Sequence, residues 1–279
     1  MTTLVAPQVS DELLSRYAKL IYDMTGICIS PQKKALLSNR LRRRLRETGI
    51  ADFEAYYKHL RTLKQSDPEW DGFLQEITTH ETYLFRDSAH WQWFQEQFLP
   101  QISAAARTSN KPKNLRIWSA ACSTGDEAFT VATCIAASLP NFQQWKIKIL
   151  GTDIGVDAVQ QARKATFSAR SMHLVPTELQ ERWFIKQGEN GPWLAKPALR
   201  EMVEFRRHNL LAPLNEPAFD LILLKNVLIY FDGPSKTLVL NNMRRAFKPG
   251  TFLLAGAAEG ISDLVKDLQR HQPWLFSSV

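Results

Sequence analysis

The chain has little cysteine and no long apolar run, and both absences exclude classes of protein. Its 279 residues include three cysteines, Cys28, Cys122 and Cys134, with no C-x-x-C pair and no metal-like spacing to the six histidines. This usage predicts free thiols in a reducing cytoplasm and no metal site. A membrane span would need about 18 consecutive apolar residues, and none occurs. The early acidic residues Asp11 and Glu12 are untypical of a secretory signal, so we expect a cytoplasmic protein without membrane insertion.

Glycine is scarce at the point where a dinucleotide-binding loop would need it. Residues 115–131 (LRIWSAACSTGDEAFTV) are typical of an apolar strand, a turn of small residues and a helix that opens with acidic residues. The turn contains only Gly125 instead of G-x-G-x-x-G, so phosphate need not approach the backbone closely. The next strand ends in Asp153, where such folds hold ribose hydroxyls. A cofactor with ribose but no phosphate fits best, and S-adenosylmethionine is the common one.

The net charge of +7 is spread unevenly along the chain. Residues 1–63 contain eleven Lys or Arg against six Asp or Glu, a net charge of +5, and most of the excess lies between residues 33 and 46. A local excess favours a docking surface for an acidic partner, although a merely solvated helix face is the plain alternative. We expect no nucleic-acid partner, because no aromatic residues alternate with the basic ones to stack on bases.

The first third of the chain is predicted to be helical. Apolar residues at helical spacing, with capping residues before them, predict helices over residues 10–26, from Ser30-Pro31 onward, 52–63 and 68–77. The second of these is the basic helix, whose apolar stripe comprises Leu36, Leu37, Leu41 and Leu45. Arg40, Arg43 and Arg44 do not fit on that stripe, so we expect them to face solvent.

From residue 88 onward the pattern changes to an α/β arrangement. An aromatic-rich helix over 88–102 and a polar, basic loop over 105–114 precede the first strand. Strands are predicted at 115–120, 147–153, 203–208, 221–225, 251–255 and 274–278, with helices at 125–138, 155–164 and 235–247 between them. This alternation predicts a mostly parallel sheet. The irregular stretch 167–203 is too long for an ordinary connection, and we interpret it as a small inserted subdomain.

Polar side chains are predicted to converge where the strands of that sheet end. They come from five places in the chain: Thr82 and Arg86; Ala120–Glu127; Asp153; Asn209 and Leu210; and Lys225, Asn226 and Tyr230. Each has a plainer alternative when it is taken alone. Asp153 and Glu127 could cap helices, Arg86 could pair with a neighbouring carboxylate, and Tyr230 could be a core residue. Their order along the chain favours a shared site.

This arrangement, over roughly residues 10–270, resembles the CheR family of chemotaxis receptor glutamate methyltransferases. The motifs that carry the resemblance are ITTHETYLFRD at 77–87, WSAACSTGDEAFTVA at 118–132, GTDIGVDAVQQAR at 151–163, FRRHNL at 205–210 and FDLILLKNVLIYFD at 219–232. The resemblance implies an α/β fold in which an N-terminal all-helical domain (1–87) precedes a Rossmann-like S-adenosylmethionine methyltransferase domain (88–279). A small antiparallel β-subdomain would be inserted at about 167–203.

The resemblance also implies an activity and a role for each candidate residue. The chain would methylate glutamate side chains on the cytoplasmic helices of chemoreceptors, as a monomer by default and without a metal. Asp153 would bind the ribose, Glu127 would face the methionyl portion, and Asn209, Leu210 and Asn226 would lie near the adenine. His80, Thr82, Ala120 and Lys225 would complete the cofactor site. Arg86 and Tyr230 would be catalytic, with Arg86 also touching the cofactor. The docking residues would be Lys33, Lys34, Arg40, Arg43 and Arg44.

Several residues depart from the family pattern and leave alternatives open. His80 stands where Asn is usual, Asp126 and Ala128 are variants in the turn, Lys225 replaces Arg, and GAAEG at 256–260 stands where G-H-S-E is frequent. Lysine cannot reproduce the bidentate geometry of arginine. One alternative is therefore a degenerate signalling module that binds S-adenosylmethionine without turnover. The other is a methyltransferase of another substrate class, such as RNA.

Overall fold

A computed structural model describes residues 8–64, 66–108 and 113–279, and it begins with a bundle of helices. The bundle comprises α1 (Asp11–Thr25), a single 3-10 turn (Pro31–Lys33), α2 (Lys34–Thr48), α3 (Phe53–Thr62) and α4 (Glu69–Ile77). The Ser10 hydroxyl accepts the Leu13 N–H at the start of α1, and Gly26 ends the helix in the left-handed conformation. The predicted helices are therefore confirmed to within one or two residues.

The apolar faces of these helices meet in one core. Tyr17, Ile21, Leu41, Tyr56 and Phe73 are fully buried there, and the Tyr17 hydroxyl donates to the Phe53 carbonyl oxygen at 2.7 Å. The predicted stripe on α2 needs one correction, because Leu36 is 47 % exposed. Its position on the edge of the stripe leaves it outside the bundle core.

The aromatic helix is longer and less regular than the sequence predicts. It consists of α5 (Ser88–Trp93), a π-helical turn (Phe94–Phe98) and α6 (Leu99–Thr108). The π turn lets Trp91, Trp93, Phe94 and Phe98 all be buried. The predicted loop at 105–114 is thus wrong in its first four residues, and 109–112 lie outside the described residues.

The second domain is built on a seven-stranded sheet. Its strands are β1 (Asn114–Ala120), β2 (Lys146–Asp153), β6 (Val203–Arg207), β7 (Leu221–Leu224), β8 (Phe252–Ala255), β9 (Gln269–Gln272) and β10 (Leu275–Ser277). They lie in the order β6-β2-β1-β7-β8-β10-β9. The helices α7 (Asp126–Ser138), α8 (Val156–Lys164) and α12 (Gly233–Arg244) connect them. The sequence predicts all of these except β9.

Parallel pairing places the functional ends of the strands together. The strands β6, β2, β1, β7 and β8 pair in parallel, and only β10 and β9 run antiparallel. Along β1, Leu115 and Ile117 join the core on one face of the sheet while Trp118 and Ala120 join the core on the other. From β1 the chain continues to β2 and β6 on one side of the sheet, whereas β7 and β8 lie on the other side. Open α/β sheets form their ligand cleft where the strand order changes direction in this way.

The insertion forms a small antiparallel sheet, as predicted. Its strands lie in the order β3 (Thr166–Phe167), β5 (Trp193–Ala195) and β4 (Phe184–Lys186). Short helices flank them: α9 (Ala169–Met172), α10 (Thr177–Trp183) and α11 (Pro197–Arg200).

The helical bundle contacts the sheet domain beside the carboxyl ends of the strands. The Cys28 N–H donates to the Tyr230 carbonyl oxygen at 2.8 Å, and the Asn209 side-chain amide donates to the Met24 carbonyl oxygen at 2.8 Å. The two domains therefore share the border of one cleft. Across the described part of the chain, no helix combines the length and apolar character that crossing a bilayer requires.

Candidate active site

The cleft between the two domains collects the residues that the sequence predicts. His80, Thr82, Arg86, Glu127, Asp153, Asn209, Leu210, Lys225, Asn226 and Tyr230 all line it. Ala120 does not: its side chain is 1 % exposed in β1, and the next residue, Ala121, lines the cleft instead. Ten of the predicted residues therefore line one cleft, and Ala121 lies where Ala120 is expected.

The turn after β1 holds its shape through left-handed backbone conformations. Ala121, Ser123 and Gly125 have φ angles of 59°, 50° and 92°. Gly125 is required, because a Cβ there would lie 2.9 Å from the Ala162 side chain and 3.0 Å from Phe205. The turn therefore packs tightly against α8 and β6 without the further glycines of a phosphate-binding loop.

Asp153 at the end of β2 organises that turn. Its carboxylate accepts the backbone N–H of Ser123 at 2.8 Å and the N–H of Gly155 at 2.9 Å. The side chain is nearly buried but still lines the cleft. A carboxylate has about four acceptor positions, so two remain for hydroxyl groups of a ligand. The Asp153 carboxylate can therefore hold these backbone N–H groups and bind a ligand at the same time.

His80 lies beside Asp153 as a neutral imidazole. Its Nε2 is 2.6 Å from the Thr78 hydroxyl, and its Nδ1 is 3.8 Å from the Asp153 carboxylate. Burial lowers the pKa of His80, against the opposing effect of Asp153. Gly155 gives the ring room, because a Cβ there would lie 2.9 Å from the imidazole.

Lys225 brings a buried positive charge to the base of the cleft. Its ammonium lies 3.1 Å from the Asp87 carboxylate and 3.6 Å from that of Glu127, and it donates to the Arg86 carbonyl oxygen at 3.3 Å. Lys225 also holds the pKa of Asp87 below its usual value, against the raising effect of burial. Glu127 additionally accepts the Ser119 hydroxyl at 2.7 Å.

The loop between α4 and α5 presents Arg86. Phe85 and Asp87, on either side of it, have left-handed φ angles of 59° and 64°. The Arg86 guanidinium is half-exposed, 5.7 Å from the centre of the Tyr83 ring and 3.4 Å from the Glu81 carbonyl oxygen. Within the described residues no carboxylate forms an ion pair with it, so the predicted plain alternative of a partner at Asp87 or Glu81 is wrong.

The loop after β7 presents Asn226 and Tyr230, and it rests on a residue that the sequence analysis did not select. Glu259 is fully buried, and its carboxylate accepts the backbone N–H groups of Asn226 and Leu228. The signal for Glu259 in the sequence is the GAAEG segment, which departs from the family pattern. Glu259 and Asn226 are 33 positions apart in the sequence, so a local sequence pattern does not reveal their contact.

The predicted docking residues do not form one solvent-facing set. Arg43 is exposed and 3.1 Å from Glu76, whereas Lys33 and Lys34 are half-buried. Arg40 donates to the Ile77 carbonyl oxygen and to the Thr79 hydroxyl. Arg44 is a correction: its side chain is 13 % exposed and pairs with Glu69 on α4, so it faces the bundle rather than solvent. The spacing of residues within α2 does not show that Arg44 has an ion-pair partner, Glu69, on another helix.

The chemistry of the cleft suits a small cationic ligand with hydroxyl groups. Two carboxylates, those of Glu127 and Asp153, line its inner part, and an arginine and a tyrosine stand at its border. No group of acidic residues, histidines and cysteines within the described chain could hold a metal ion. The three cysteines are free thiols, as predicted, and burial raises the pKa of Cys122 and Cys134.

Comparison with known proteins adds a family to this geometry. Residues 80–273 match the family model described as CheR methyltransferase, SAM binding domain, and residues 12–78 match CheR methyltransferase, all-alpha domain. A chemotaxis protein methyltransferase of Salmonella typhimurium is 31% identical over 93% of this chain and 87% of its own. One from Escherichia coli is 32% identical over 92% and 87%, and one from Borreliella burgdorferi is 30% identical over 91% and 89%.

Proposed function

The chain belongs to the CheR methyltransferase family, and on that premise we propose that it methylates glutamate side chains on the cytoplasmic helices of chemoreceptors. It is an S-adenosylmethionine-dependent methyltransferase of chemotaxis. The observation that carries the proposal is the meeting of Asp153, Arg86 and Tyr230 at one cleft, from three distant parts of the chain. The site of action would be the cytoplasm.

The donor set of the cleft fits S-adenosylmethionine. The Asp153 carboxylate keeps acceptor positions for the two ribose hydroxyls. Glu127 would face the methionyl ammonium, and Asn209, Leu210 and Asn226 would border the adenine. The carboxylates of Glu127 and Asp153 in the cleft favour a cationic cofactor electrostatically. Burial lowers the pKa of His80 beside Asp153, which disfavours an opposing positive charge there.

Arg86 and Tyr230 would act on the incoming glutamate. When bound, the cofactor would supply a methyl group on a positively charged sulfur. A carboxylate oxygen would bond to the methyl carbon as the carbon–sulfur bond breaks, and S-adenosylhomocysteine would leave as a neutral thioether. The substrate needs no general base, because a glutamate is already ionised at neutral pH. Arg86 would hold that carboxylate in a fixed plane. Tyr230 would orient one oxygen, and closure of the cleft by the receptor helix would remove water from it.

The test is methyl transfer to chemoreceptor-containing membranes from labelled S-adenosylmethionine, measured as volatile label released by mild base. We expect base-labile label on the receptor. Arg86→Ala should lower turnover about 100-fold, because misplacement of the nucleophile has an effect of that order. Calorimetry should show that this variant still binds S-adenosylhomocysteine, whereas Asp153→Ala loses most of that binding.

Arg200→Ala is the matched control, since Arg200 is an exposed arginine outside the cleft. It should leave both measurements unchanged. Label that resists mild base would indicate another substrate class. Binding of S-adenosylhomocysteine without any transfer would contradict the receptor-glutamate proposal and support a degenerate binding module.

A further inference from the structure

A buried carboxylate outside the proposed catalytic set supports the loop that carries Asn226 and Tyr230. Glu259 is 0% exposed, and one of its oxygens accepts the Leu228 N–H at 2.6 Å while the other accepts the Asn226 N–H. Neither oxygen reaches the cleft lining. A fully buried carboxylate is costly unless its acceptors are paired, so its retention calls for a specific use.

The loop needs such a partner because of its backbone shape. Asn226 has a left-handed φ of 58°, and a 3-10 turn follows at Leu228–Tyr230. The N–H groups at the start of such a turn have no acceptor within the turn itself. Glu259 supplies those acceptors from the loop after β8, where its own N–H donates to the Gly256 carbonyl oxygen at 3.1 Å.

A second observation concerns the space around this carboxylate. Gly256 has no side chain, and a Cβ built there would lie 2.7 Å from the Glu259 carboxylate and 3.3 Å from the Asn226 nitrogen. The Glu259 carbonyl oxygen is also fixed, since it accepts the Lys236 ammonium at 2.7 Å. Gly256 thus leaves room for the carboxylate under the loop, and Lys236 fixes the backbone of residue 259 beside it.

We propose that Glu259 is a positioning residue for methyl transfer, which sets the place of Tyr230 by binding the backbone of the loop between Asn226 and Leu228. This inference rests on the proposed function, because Tyr230 is the group through which Glu259 acts. Glu259 touches neither cofactor nor substrate. Its effect should therefore depend on the presence of the Tyr230 hydroxyl.

The first experiment combines Glu259→Gln with Tyr230→Phe in the full chain. Glutamine keeps the shape of the side chain, but it turns an N–H₂ group toward one of the two backbone N–H donors. In the wild-type background it should lower kcat about 100-fold, the order expected for a misplaced catalytic group. In the Tyr230→Phe background the same change should have an effect about ten times smaller, because the two residues act as one unit.

Two further measurements separate positioning from a general loss of stability. Hydrogen exchange of the 226–228 backbone amides should accelerate at least about tenfold in Glu259→Gln, while α12 and β8 stay protected. Gly256→Ala should reproduce both the kcat loss and the faster exchange by displacing the carboxylate. Gly233→Ala is the control, since a Cβ at that position meets nothing within 4 Å.

The outcomes separate this inference from the proposed function. Equal kcat losses in both backgrounds, or unchanged exchange at 226–228, would overturn the positioning role. If the wild-type chain transfers no methyl group, the proposed function fails, and the exchange measurement still decides whether Glu259 holds the loop.

Discussion

At the scale of single residues, Lys225 shows how a substitution in a family motif can be accommodated. Its ammonium is shared between Asp87 and Glu127 and contacts the Arg86 carbonyl oxygen. A compact point charge can serve three acceptors in different directions, whereas an arginine fork favours one planar partner. Lys225 therefore organises the acidic wall of the cleft through protein contacts, which compensates for the lost bidentate geometry.

His90 gives a pH-dependent prediction in the same region. Burial and the Lys225 ammonium lower the pKa of His90 to about 4, against the opposing charge of Asp87. The unfolded chain takes up this proton near pH 6.5. The unfolded state therefore binds more protons between those two values, so the stability of the fold falls as the pH drops from 6.5 to 4 and levels off below.

His90→Phe removes this titration and keeps an aromatic ring against Trp274, whose ring centre lies 4.4 Å from that of His90. Between pH 7 and pH 4.5 the wild-type chain should lose about 2 kcal/mol more of its unfolding free energy than the variant. Urea unfolding at several pH values measures this difference. Parallel stability curves for the two proteins would contradict the lowered pKa.

At the scale of elements, the Arg86 loop is held by helices of the sheet domain. The Phe85 N–H donates to the Thr130 hydroxyl at 3.0 Å, and the Leu84 N–H donates to the Ser171 carbonyl oxygen at 3.0 Å. Thr130 lies on α7 and Ser171 on α9, so α7 and the insertion both set the position of the loop. The left-handed conformations of Phe85 and Asp87 depend on these anchors.

Thr130→Val tests this anchoring. The change keeps the volume of the side chain but leaves the buried Phe85 N–H without a partner, which should lower the unfolding free energy by about 1–3 kcal/mol. Turnover should fall as well, because Arg86 is the next residue after Phe85 and would lose its fixed position. Thr133→Val is the matched control: it is equally buried on α7, but among the described residues its hydroxyl bonds only to the Phe129 carbonyl oxygen of the same helix. A kcat that is equal in the two variants would exclude the anchoring role.

The parts of the fold that the sequence predicted are those specified by local pattern. The apolar residues that predict β1 follow one another in the chain. The capping residues Ser10 and Asp52 lie directly before the helices α1 and α3 that they cap. The strand β9 (QRHQ) is fully exposed, and only its pairing with β10 makes it a strand. Ala120, Arg44 and Glu259 were misjudged or missed for a similar reason, since their surroundings come from residues distant in sequence.

At the scale of the whole molecule, the basic helix stands beside the cleft that it would serve. The Lys33 ammonium lies 5.4 Å from the centre of the Tyr230 ring, so the first turn of this region reaches the border of the active site. Arg43, one of the predicted docking residues, is exposed farther along the same helix. Positive charge at this border would steer an acidic receptor helix toward the cleft.

Arg43 and Arg44 allow this idea to be tested with neighbouring arginines. Arg43 is 53 % exposed, so Arg43→Ala should raise the KM for the receptor about two- to fivefold and weaken its salt dependence. Its ion pair with Glu76 is partly exposed, so the unfolding free energy should fall by less than about 1 kcal/mol. Arg44→Ala should instead lower the unfolding free energy by about 2 kcal/mol, because it breaks a charged hydrogen bond to Glu69 inside the bundle.

The opposite results for the two variants would place the docking surface at a different part of the helical bundle. If Arg44→Ala raised the KM at unchanged stability while Arg43→Ala had no effect, the receptor would have to enter between α2 and α4 and displace Glu69. Steady-state kinetics at two salt concentrations, with urea unfolding of the same preparations, separates the two possibilities. Because the two arginines are adjacent on one helix, differences between them reflect the direction of the side chain rather than the net charge of the molecule.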